Sequence, residues 1–248
     1  MVGPAQIVAF GGGGFSMEAG NPLLDDYVLG LTGVERPRVC FVPTASGDAD
    51  HYIVRFYRAF PSSVCEPSHV SLFRRDKGAG PGAPLEEHLL GQDLIYVGGG
   101  SVVSLMGVWR AHGLDEVLAE CWRRGVVLCG LSAGSLCWFA EAMSGYHGEC
   151  TPVHGMEFLP WSNAVHYDKE PHRRPAYHRA VAGGMPGGYA AEDGAALHFV
   201  GEDLARVVSS RPESKAYRVE SVNDEVVELA LPVTYLGAAD AAEPALAA

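Results

Sequence analysis

The amino-acid sequence predicts an α/β fold built on a doubly wound, mostly parallel sheet, with antiparallel strands towards its C-terminal end. Short apolar runs alternate with helix-like stretches up to Pro152, and this alternation is typical of parallel α/β sheets. Two of the apolar runs end in glycine clusters, as strands do when they lead into a loop. Hydrophobic residues make up 48% and charged residues 19% of the 248 residues, which is typical of a globular protein.

Strands and helices can be placed in turn along the first part of the chain. The predicted strands cover apolar runs at 6–10, 38–42, 69–72, 93–97 and 126–129. One helix is predicted to begin after Asn21-Pro22, where Asn caps the first turn. Further helices are predicted over 51–60, 102–111, 114–123 and 134–143. The charged segment 73–84 is rich in Gly and Pro and is predicted to be a surface loop.

The pattern changes after Pro152. Short strand-like runs follow at 206–209, 216–219 and 226–229, and we expect them to form an antiparallel extension or edge of the same sheet. No internal repeat and no clear linker interrupts the chain, so we predict a single domain over residues 1–236. The Ala-rich segment 237–248 is weakly patterned and is predicted to be a mobile tail.

The charge balance and the cysteines restrict the class of protein. The net charge is −12 and no run of Lys or Arg stands out, so we expect neither nucleic acid nor a membrane surface as a partner. The start of the sequence does not resemble a signal peptide, and no apolar stretch approaches the roughly 18 residues of a membrane helix. The six cysteines lie mostly among apolar residues, which favours buried free thiols and a cytoplasmic location.

The strongest chemical signal is the segment Gly130-Leu131-Ser132-Ala133-Gly134. A predicted strand leads into small residues around a serine, and an apolar stretch follows, as a nucleophile elbow requires. A following helix would point its N-terminal N–H groups at the site, which places the N–H of Ala133 to bind an oxyanion. The alternative is a Gly- and Ser-rich turn that only caps a helix, but the strand–turn–helix context favours a nucleophilic Ser132.

Glycine clusters end two other predicted strands. Gly98-Gly99-Gly100 lets the backbone approach a ligand closely, so an N–H of Gly99 or Gly100 is the natural second oxyanion donor. A sharp strand-to-helix turn is the alternative. The glycines at 11–14 suggest a nucleotide loop, but neither the dinucleotide fingerprint nor the phosphate-binding lysine motif is present in full. We therefore expect no cofactor.

A nucleophilic serine needs a base among the ten histidines. His166 ends a short extended run beyond the elbow, so it could reach Ser132 from the carboxyl edge of the sheet. His147, Cys150 and His154 have a metal-like spacing, but a fourth ligand is missing. We therefore predict no metal site.

Four segments together resemble the peptidase E family of serine peptidases, which includes aspartyl dipeptidase and cyanophycinase. They are 96–100, 130–135, Leu159-Pro160 with His166-Tyr167, and 188–197. Their order and spacing match the family from about Gln6 to Val219, and the combination is specific although each motif alone is not. The resemblance implies a fold like that of the class I glutamine amidotransferases, with serine in place of their cysteine.

The resemblance also implies roles for single residues. Ser132 matches the family nucleophile and His166 the family base. The glycines at 98–100 and Ala133 match the oxyanion region.

The acid of the triad has several candidates. Asp193 stands where part of the family carries this acid, and Glu192 is its neighbour. Elsewhere in the family the acid lies between the serine and the histidine, where this chain offers Glu141 and Glu149. We favour Asp193, which should accept the second imidazole N–H and fix the tautomer of the ring.

The family implies substrates with an acidic residue, usually Asp, on the amino side of the scissile bond. Such a carboxylate needs a local cation, especially in a chain of charge −12. Arg173 and Arg174 follow His166 closely, and a guanidinium can hold a carboxylate through two parallel hydrogen bonds. We assign them to substrate binding together with Tyr167 and Asp168; a solvated helix start is the alternative.

The sequence thus predicts a serine peptidase for small peptides, including dipeptides with an N-terminal Asp, that uses a Ser-His-acid mechanism. One rival is an α/β-hydrolase-type esterase, which would pair Ser132 with a late acid and histidine such as Asp193 and His198. The other rival is a non-catalytic, amidotransferase-like binding protein. The sequence carries no signal for the oligomeric state, for which a homodimer is our working expectation.

Overall fold

The computed structural model describes residues 3–73 and 84–237. The predicted tail therefore lies outside the described residues from 238 onward, and so do residues 74–83 of the predicted surface loop. Within the described ranges, no helix combines the length and the apolar character that a membrane crossing needs.

The described residues form fourteen strands and seven α-helices. The strands are β1 (Gln6–Phe10), β2 (Arg38–Val42), β3 (Glu66–His69), β4 (Leu94–Val97), β5 (Val127–Leu131), β6 (Phe139–Ser144), β7 (Thr151–His154), β8 (Leu159–Ala164), β9 (Gly188–Ala191), β10 (Ala195–Val200), β11 (Asp203–Ser209), β12 (Ala216–Val222), β13 (Glu225–Ala230) and β14 (Thr234–Tyr235). The helices are α1 (Leu23–Leu31), α2 (Asp50–Ala59), α3 (Leu85–Leu90), α4 (Val102–His112), α5 (Leu114–Arg123), α6 (Ala133–Leu136) and α7 (Arg173–Ala182).

The larger sheet has eight strands in the order β14-β11-β10-β1-β5-β4-β2-β3. The strands from β1 to β3 in this order are parallel, whereas β10 runs antiparallel to both β1 and β11. At the edge of the sheet, β11 and β14 pair in parallel. Successive residues of β1 alternate between two hydrophobic clusters: Ile7 packs on the side of α4 and α5, and Val8 on the side of α1 and α2. Helices therefore cover both faces, and the predicted doubly wound, mostly parallel sheet is confirmed.

Two expectations about the later strands were wrong. The stretch 134–143 is not one helix: α6 ends after one turn, and β6 follows and pairs with β7 and β8. This tertiary pairing overrides the helical pattern of the local sequence. The C-terminal strands also do not all extend one sheet, because β12 and β13 belong to a second, six-stranded sheet in the order β13-β12-β9-β8-β6-β7.

The two sheets meet at the glycines that follow β1. The Gly11 oxygen accepts the N–H of His166, which follows β8 of the second sheet, at 2.9 Å. The Gly11 N–H instead stays within the larger sheet and donates to the Ala195 oxygen of β10 at 2.9 Å. A Cβ atom at Gly11 would lie only 2.4 Å from the Glu192 oxygen. Glycine is therefore required here because backbone from the second sheet lies against it.

Close packing inside the second sheet makes a first prediction. Gly188 in β9 pairs with Ser162 in β8, and a Cβ atom at Gly188 would lie 1.9 Å from the Ser162 oxygen. The Gly188→Ala substitution should therefore push the two strands apart and lower the free energy of unfolding by about 1–3 kcal/mol. Urea unfolding of the purified variant measures this loss.

Gly107→Ala is the matched control. Gly107 is exposed in α4, and a Cβ atom there would meet nothing within 4 Å. Because Ala favours a helix over Gly, this variant should gain about 0.5–1 kcal/mol. Equal effects of the two substitutions would contradict the close packing of β8 and β9.

A buried carboxyl group makes a second prediction, about pH. Asp25 in α1 accepts the Tyr96 hydroxyl at 3.1 Å in the core. Burial raises the pKa of Asp25 to about 7, although the hydrogen bond from Tyr96 opposes this shift. The carboxyl group therefore keeps its proton in the folded chain well above pH 4.

The sign of the effect on stability follows from this shift. The pKa of Asp25 is higher in the folded than in the unfolded chain. The stability that this difference in pKa contributes is therefore complete below about pH 4, and it is lost as the pH rises towards 7. Asp25→Asn removes this dependence, so the stability of the variant relative to wild type should rise by a few kcal/mol between pH 4 and 7. Urea unfolding across this range tests it, and a constant difference would contradict it.

Candidate active site

Ser132 stands between β5 and α6 in a strained backbone conformation, with φ of 53° and ψ of −115°. A non-glycine residue in such a conformation costs on the order of 1–3 kcal/mol, and this strain is common at functional sites. The flanking glycines allow the turn: a Cβ atom at Gly130 would lie 2.3 Å from the Gly134 oxygen, and one at Gly134 would lie 2.3 Å from the Val97 oxygen. The segment therefore has the geometry of the predicted elbow.

Helix α6 begins directly behind the serine. The Ser132 oxygen accepts the N–H groups of Ser135 and Leu136, both at 2.9 Å. The N–H of Ala133 has no acceptor among the residues that the structure describes. It is thus free to donate to a negatively charged oxygen beside Ser132.

His166 links Ser132 to a buried acid. Its Nε2 atom lies 3.0 Å from Ser132 Oγ, and its Nδ1 atom lies 2.6 Å from Asp193 Oδ1. Asp193 is only 6% exposed, so little water competes for its carboxylate. In this arrangement Nδ1–H donates to Asp193, which leaves Nε2 as the acceptor for the Ser132 hydroxyl. The three side chains have the order of a nucleophile, a base and an orienting acid.

Gly12 leaves the space that the histidine and the acid occupy. A Cβ atom at Gly12 would lie 2.1 Å from Asp193 Oδ1 and 2.9 Å from His166 Nδ1. The Gly12 oxygen also accepts the N–H of Gly194 at 3.0 Å. The glycine run that resembles a nucleotide loop therefore packs against the imidazole and the carboxylate.

The backbone of Asp193 is held from two sides. Asp168 Oδ1 accepts the N–H of Asp193 at 2.9 Å, and the Ser214 hydroxyl donates to the Asp193 oxygen at 2.6 Å. Burial raises the pKa of Asp168, but the Asp193 N–H and Lys169, at 3.0 Å, outweigh this and hold it below its ordinary value. Asp168 was predicted to bind the substrate. In the structure it instead binds the backbone of Asp193.

The other candidate acids have different surroundings. Glu192 accepts the Lys215 N–H and the Tyr217 hydroxyl, both at 2.9 Å. Glu141 lies in β6, and Glu149 is exposed between β6 and β7. Among the described residues, none of these three glutamates is bonded to His166, whereas Asp193 is.

Arg173, one of the two predicted substrate arginines, is buried. Its side chain is 3% exposed. Nη1 donates to the Met143 oxygen and Nη2 to Glu170, both at 2.6 Å. These bonds fix the start of α7 against β6, and the structure does not bring the guanidinium to Ser132.

Arg174 points to a different cluster of the second sheet. Its guanidinium carbon lies 4.7 Å from the ring centroids of both Tyr167 and Tyr217, and Nη1 lies 3.4 Å from Glu228. The Tyr167 hydroxyl also donates to Glu228, at 2.7 Å. Arg174 and Tyr167 are thus joined to each other and to Glu228.

The glycine turn after β4 lies beside the serine. A Cβ atom at Gly99 would lie 3.3 Å from Ser132 Cβ. The Gly99 N–H donates to the Tyr52 hydroxyl oxygen at 3.1 Å. Tyr52 comes from α2, and sequence reasoning missed it because no local pattern relates this helix to the turn.

His198, the base of the esterase alternative, lies elsewhere. Its Nδ1 atom is 2.7 Å from the Tyr27 hydroxyl and its Nε2 atom is 3.0 Å from Gln6 Oε1. Burial lowers the pKa of His198 to about 4, so the ring is neutral at pH 7. Both nitrogens are therefore committed, and the structure does not bring His198 to Ser132.

The side chains with metal-like spacing, at 147, 150 and 154, are not gathered at one site. His147 Nε2 lies 3.2 Å from Ser101 Oγ, and Cys150 Sγ lies 3.7 Å from Arg173 Nη1. Within the described ranges, no three or more His, Cys, Asp or Glu side chains are grouped so that they could hold a metal ion.

Known proteins share both sequence and fold with this chain. A family model described as peptidase family S51 matches residues 7–207. A protein of Bacillus subtilis (strain 168), described as the uncharacterized peptidase YgaJ, is 48% identical over 233 residues that cover 94% of this chain and 99% of that protein. The predicted resemblance to the peptidase E family is confirmed by these matches.

Two solved structures show the same fold. A peptidase from an acI-B1 actinobacterium is 17% identical with a TM-score of 0.67, covering 93% of this chain and 95% of that one. A candidate peptidase E protein from Listeria monocytogenes EGD-e is 16% identical with a TM-score of 0.54, covering 92% of this chain and 100% of that one. At these identities the likeness concerns the fold alone.

The identity of the acid can be tested by substitution. Asp193→Asn presents an amide to Nδ1 and favours the wrong tautomer of His166, so reaction of Ser132 with a fluorophosphonate should slow by about 10³–10⁴-fold. Glu192→Gln is the matched control and should stay within a few-fold of wild type. Equal losses in the two variants, measured by labelling kinetics, would contradict the assignment of Asp193.

Proposed function

The chain belongs to peptidase family S51 and is a serine-type peptidase, and we propose that it hydrolyses small peptides, including dipeptides with an N-terminal Asp, through Ser132, His166 and Asp193. The observation that carries this proposal is the hydrogen-bonded line from Ser132 Oγ through both nitrogens of His166 to Asp193. Such a line supplies a nucleophile with an oriented base.

Acylation is the first half of the proposed reaction. Ser132 Oγ attacks the scissile carbonyl carbon while His166 Nε2 takes the hydroxyl proton. Asp193 stabilises the imidazolium that forms, and backbone N–H groups, including that of Ala133, stabilise the oxyanion. His166 then gives its proton to the leaving amine, and the C–N bond breaks to leave an acyl-Ser132 ester.

Deacylation repeats these steps with water. His166 takes a proton from a water molecule as the water oxygen attacks the ester carbon. The second oxyanion uses the same N–H groups, and Ser132 leaves with the proton that His166 returns. The product is a free carboxylic acid, and the chain returns to its starting state.

Restricted access beside the serine supports small substrates. Ser132 itself is half-buried. The segment between β6 and β7 reaches the neighbouring glycine turn, because His147 Nε2 lies 3.2 Å from Ser101 Oγ. A long or folded substrate would have to displace this segment, whereas a short peptide would not.

An acidic substrate residue requires a cation, and Arg55 is the one we assign. Arg55 is exposed in α2 and forms no ion pair among the described residues, and its Nη1 atom lies 3.4 Å from the Ser16 oxygen. It also lies close enough to Tyr52 to lower the pKa of that hydroxyl, which burial raises. Because Tyr52 bonds Gly99, Arg55 flanks the turn beside Ser132, whereas the predicted Arg173 is buried.

The free thiols support a reducing compartment. All six cysteines are free, and five of them are buried. Such usage is typical of proteins that remain in the cytoplasm, which is the location we propose.

A panel of dipeptides tests the reaction. Asp-X, Glu-X and neutral dipeptides should be hydrolysed by wild type, with Asp-X preferred. Ser132→Ala removes the nucleophile and should lower kcat by about 10⁴-fold or more for every substrate. Hydrolysis that survives the Ser132→Ala change would refute the mechanism, and turnover confined to neutral dipeptides would refute the acidic preference.

The same panel tests the role of Arg55. Arg55→Gln removes a charged hydrogen bond to the substrate, so KM for Asp-X should rise by about 10- to 100-fold while neutral substrates are unaffected. Arg58→Gln is the matched control, because Arg58 is exposed in the same helix and carries the same charge. An equal change in both variants, or a larger one for Arg174→Gln, would contradict the assignment.

A further inference from the structure

The outer N–H groups of the glycine turn after β4 are bound to the end of β2 and to the loop that follows it. Gly98 donates to the Val42 oxygen at 3.1 Å, and Ser101 donates to the Ala45 oxygen at 2.8 Å. Both acceptors follow or end β2, so the two ends of the turn are fixed to the neighbouring strand. Neither N–H is free to meet a substrate oxygen.

The two inner N–H groups differ from each other. The Gly99 N–H donates to the Tyr52 hydroxyl oxygen at 3.1 Å. The Gly100 N–H has no acceptor in the described part of the chain. Because buried or half-buried N–H groups are normally paired, an unpaired one beside a nucleophile indicates a ligand-binding donor.

The conformation of Gly100 is fixed by its surroundings. Its φ of 141° is one that side chains rarely adopt, and a Cβ atom there would lie 2.2 Å from the Ala45 oxygen. The neighbouring Gly99 places the turn against the nucleophile, since its Cβ position lies 3.3 Å from Ser132 Cβ. The direction of the Gly100 N–H is therefore set by the packing of the turn and not by a side chain of its own.

Tyr52 is itself held rigidly under the turn. It is 8% exposed, and its ring centroid lies 5.0 Å from that of Phe41 and 5.6 Å from that of Phe15. A Cβ atom at Gly98 would lie 3.0 Å from its ring. Burial raises the pKa of Tyr52, so the hydroxyl stays neutral and accepts the Gly99 N–H without a negative charge.

We propose that Tyr52 is a positioning residue of the oxyanion hole, and that by binding the Gly99 N–H it makes Gly100 and Ala133 the two donors. The sequence leaves Gly99 and Gly100 as alternative oxyanion donors. Because the Gly99 N–H already has an acceptor in Tyr52, the Gly100 N–H is the one left for the oxyanion. The proposal rests on the proposed function, because it assigns donors to the oxyanion of the Ser132 reaction. Without the Tyr52 hydroxyl, the Gly99 N–H loses its partner and the peptide planes of the turn are free to rotate.

Tyr52→Phe tests the proposal, because it keeps the ring and removes the acceptor. We expect kcat to fall by about 10- to 100-fold while KM stays near wild type, since the lost interaction acts only on the transition state. The inhibition constant of a peptide aldehyde, which forms a tetrahedral adduct with Ser132, should rise by the same factor. That of a non-hydrolysable ground-state analogue should not change.

Tyr57→Phe is the matched control. Tyr57 lies five residues further along α2, and its hydroxyl lies 2.8 Å from His69 Nδ1. Its loss should leave kcat and the aldehyde constant unchanged. A Tyr52→Phe kcat at or above wild type would overturn the proposal, because it would make the released Gly99 N–H the better donor. An equal rise in the inhibition constants of the aldehyde and the ground-state analogue would overturn it as well.

The structure of the fluorophosphonate adduct of the wild-type chain gives a test that does not depend on the stability of a variant. The phosphonyl oxygen should lie within hydrogen-bonding distance of the N atoms of Gly100 and Ala133, with Gly99 still bound to Tyr52. An oxygen bound by Gly99 would overturn the proposal.

The labelling rate separates this proposal from the proposed function. If wild type reacts with the fluorophosphonate and Tyr52→Phe reacts 10- to 100-fold more slowly, the oxyanion assignment holds even when no small peptide is hydrolysed. If peptides are hydrolysed and Tyr52→Phe is labelled as fast as wild type, the assignment fails and the peptidase mechanism stands.

Discussion

The close approach of two sheets at Gly11 and Gly12 is the constraint on which the candidate site depends. One side of this contact carries Ser132 at the end of a parallel strand, and the other carries His166 and Asp193, which follow β8 and β9 of the second sheet. A Cβ atom at Gly12 would lie 2.1 Å from the carboxylate, so any larger residue would separate the sheets or displace the acid. Backbone contact, rather than a side-chain interaction, therefore sets the distance between His166 and Ser132.

Two strained residues meet at this contact. Ser132 and His166 both have a φ of 53°, and neither is a glycine. Such strain persists only where the surroundings hold it, as the glycines around Ser132 and the bond from the His166 N–H to Gly11 do here. In the proposed mechanism, folding therefore orients Ser132 and His166 before a substrate binds. The proposed role of the Tyr52 bond to Gly99 extends the same principle to the N–H groups of the glycine turn.

Local sequence was sufficient for those parts of the fold that depend on local patterns. The bounds of β1, β2 and α5 follow from apolar runs and periodicity. The small residues around Ser132 indicate the elbow once the strand before them and the apolar stretch after them are taken into account. Helix α3, by contrast, was not predicted, and 69–72 was predicted as a strand although β3 is Glu66–His69. The prediction of a helix over the segment that forms β6 was wrong because the pairing partners of this strand lie further along the chain, and local periodicity does not indicate them.

In the candidate site, too, some residues could be predicted from local patterns and others could not. Ser132 and His166 could be singled out from motifs and from the family resemblance, whereas Tyr52 and Gly12 act through contacts that only the folded chain creates. The substrate arginines were chosen for closeness in sequence to His166. Arg173 instead lies in a buried network, because the helix that begins there turns it towards β6.

The line from Ser132 to His166 is the central claim, and identification of the modified residue tests it most directly. After reaction with a fluorophosphonate, peptide mapping by mass spectrometry should find the phosphonyl group on Ser132 alone, and His166→Ala should abolish the modification. A label on another serine, or a rate that His166→Ala leaves unchanged, would contradict the account.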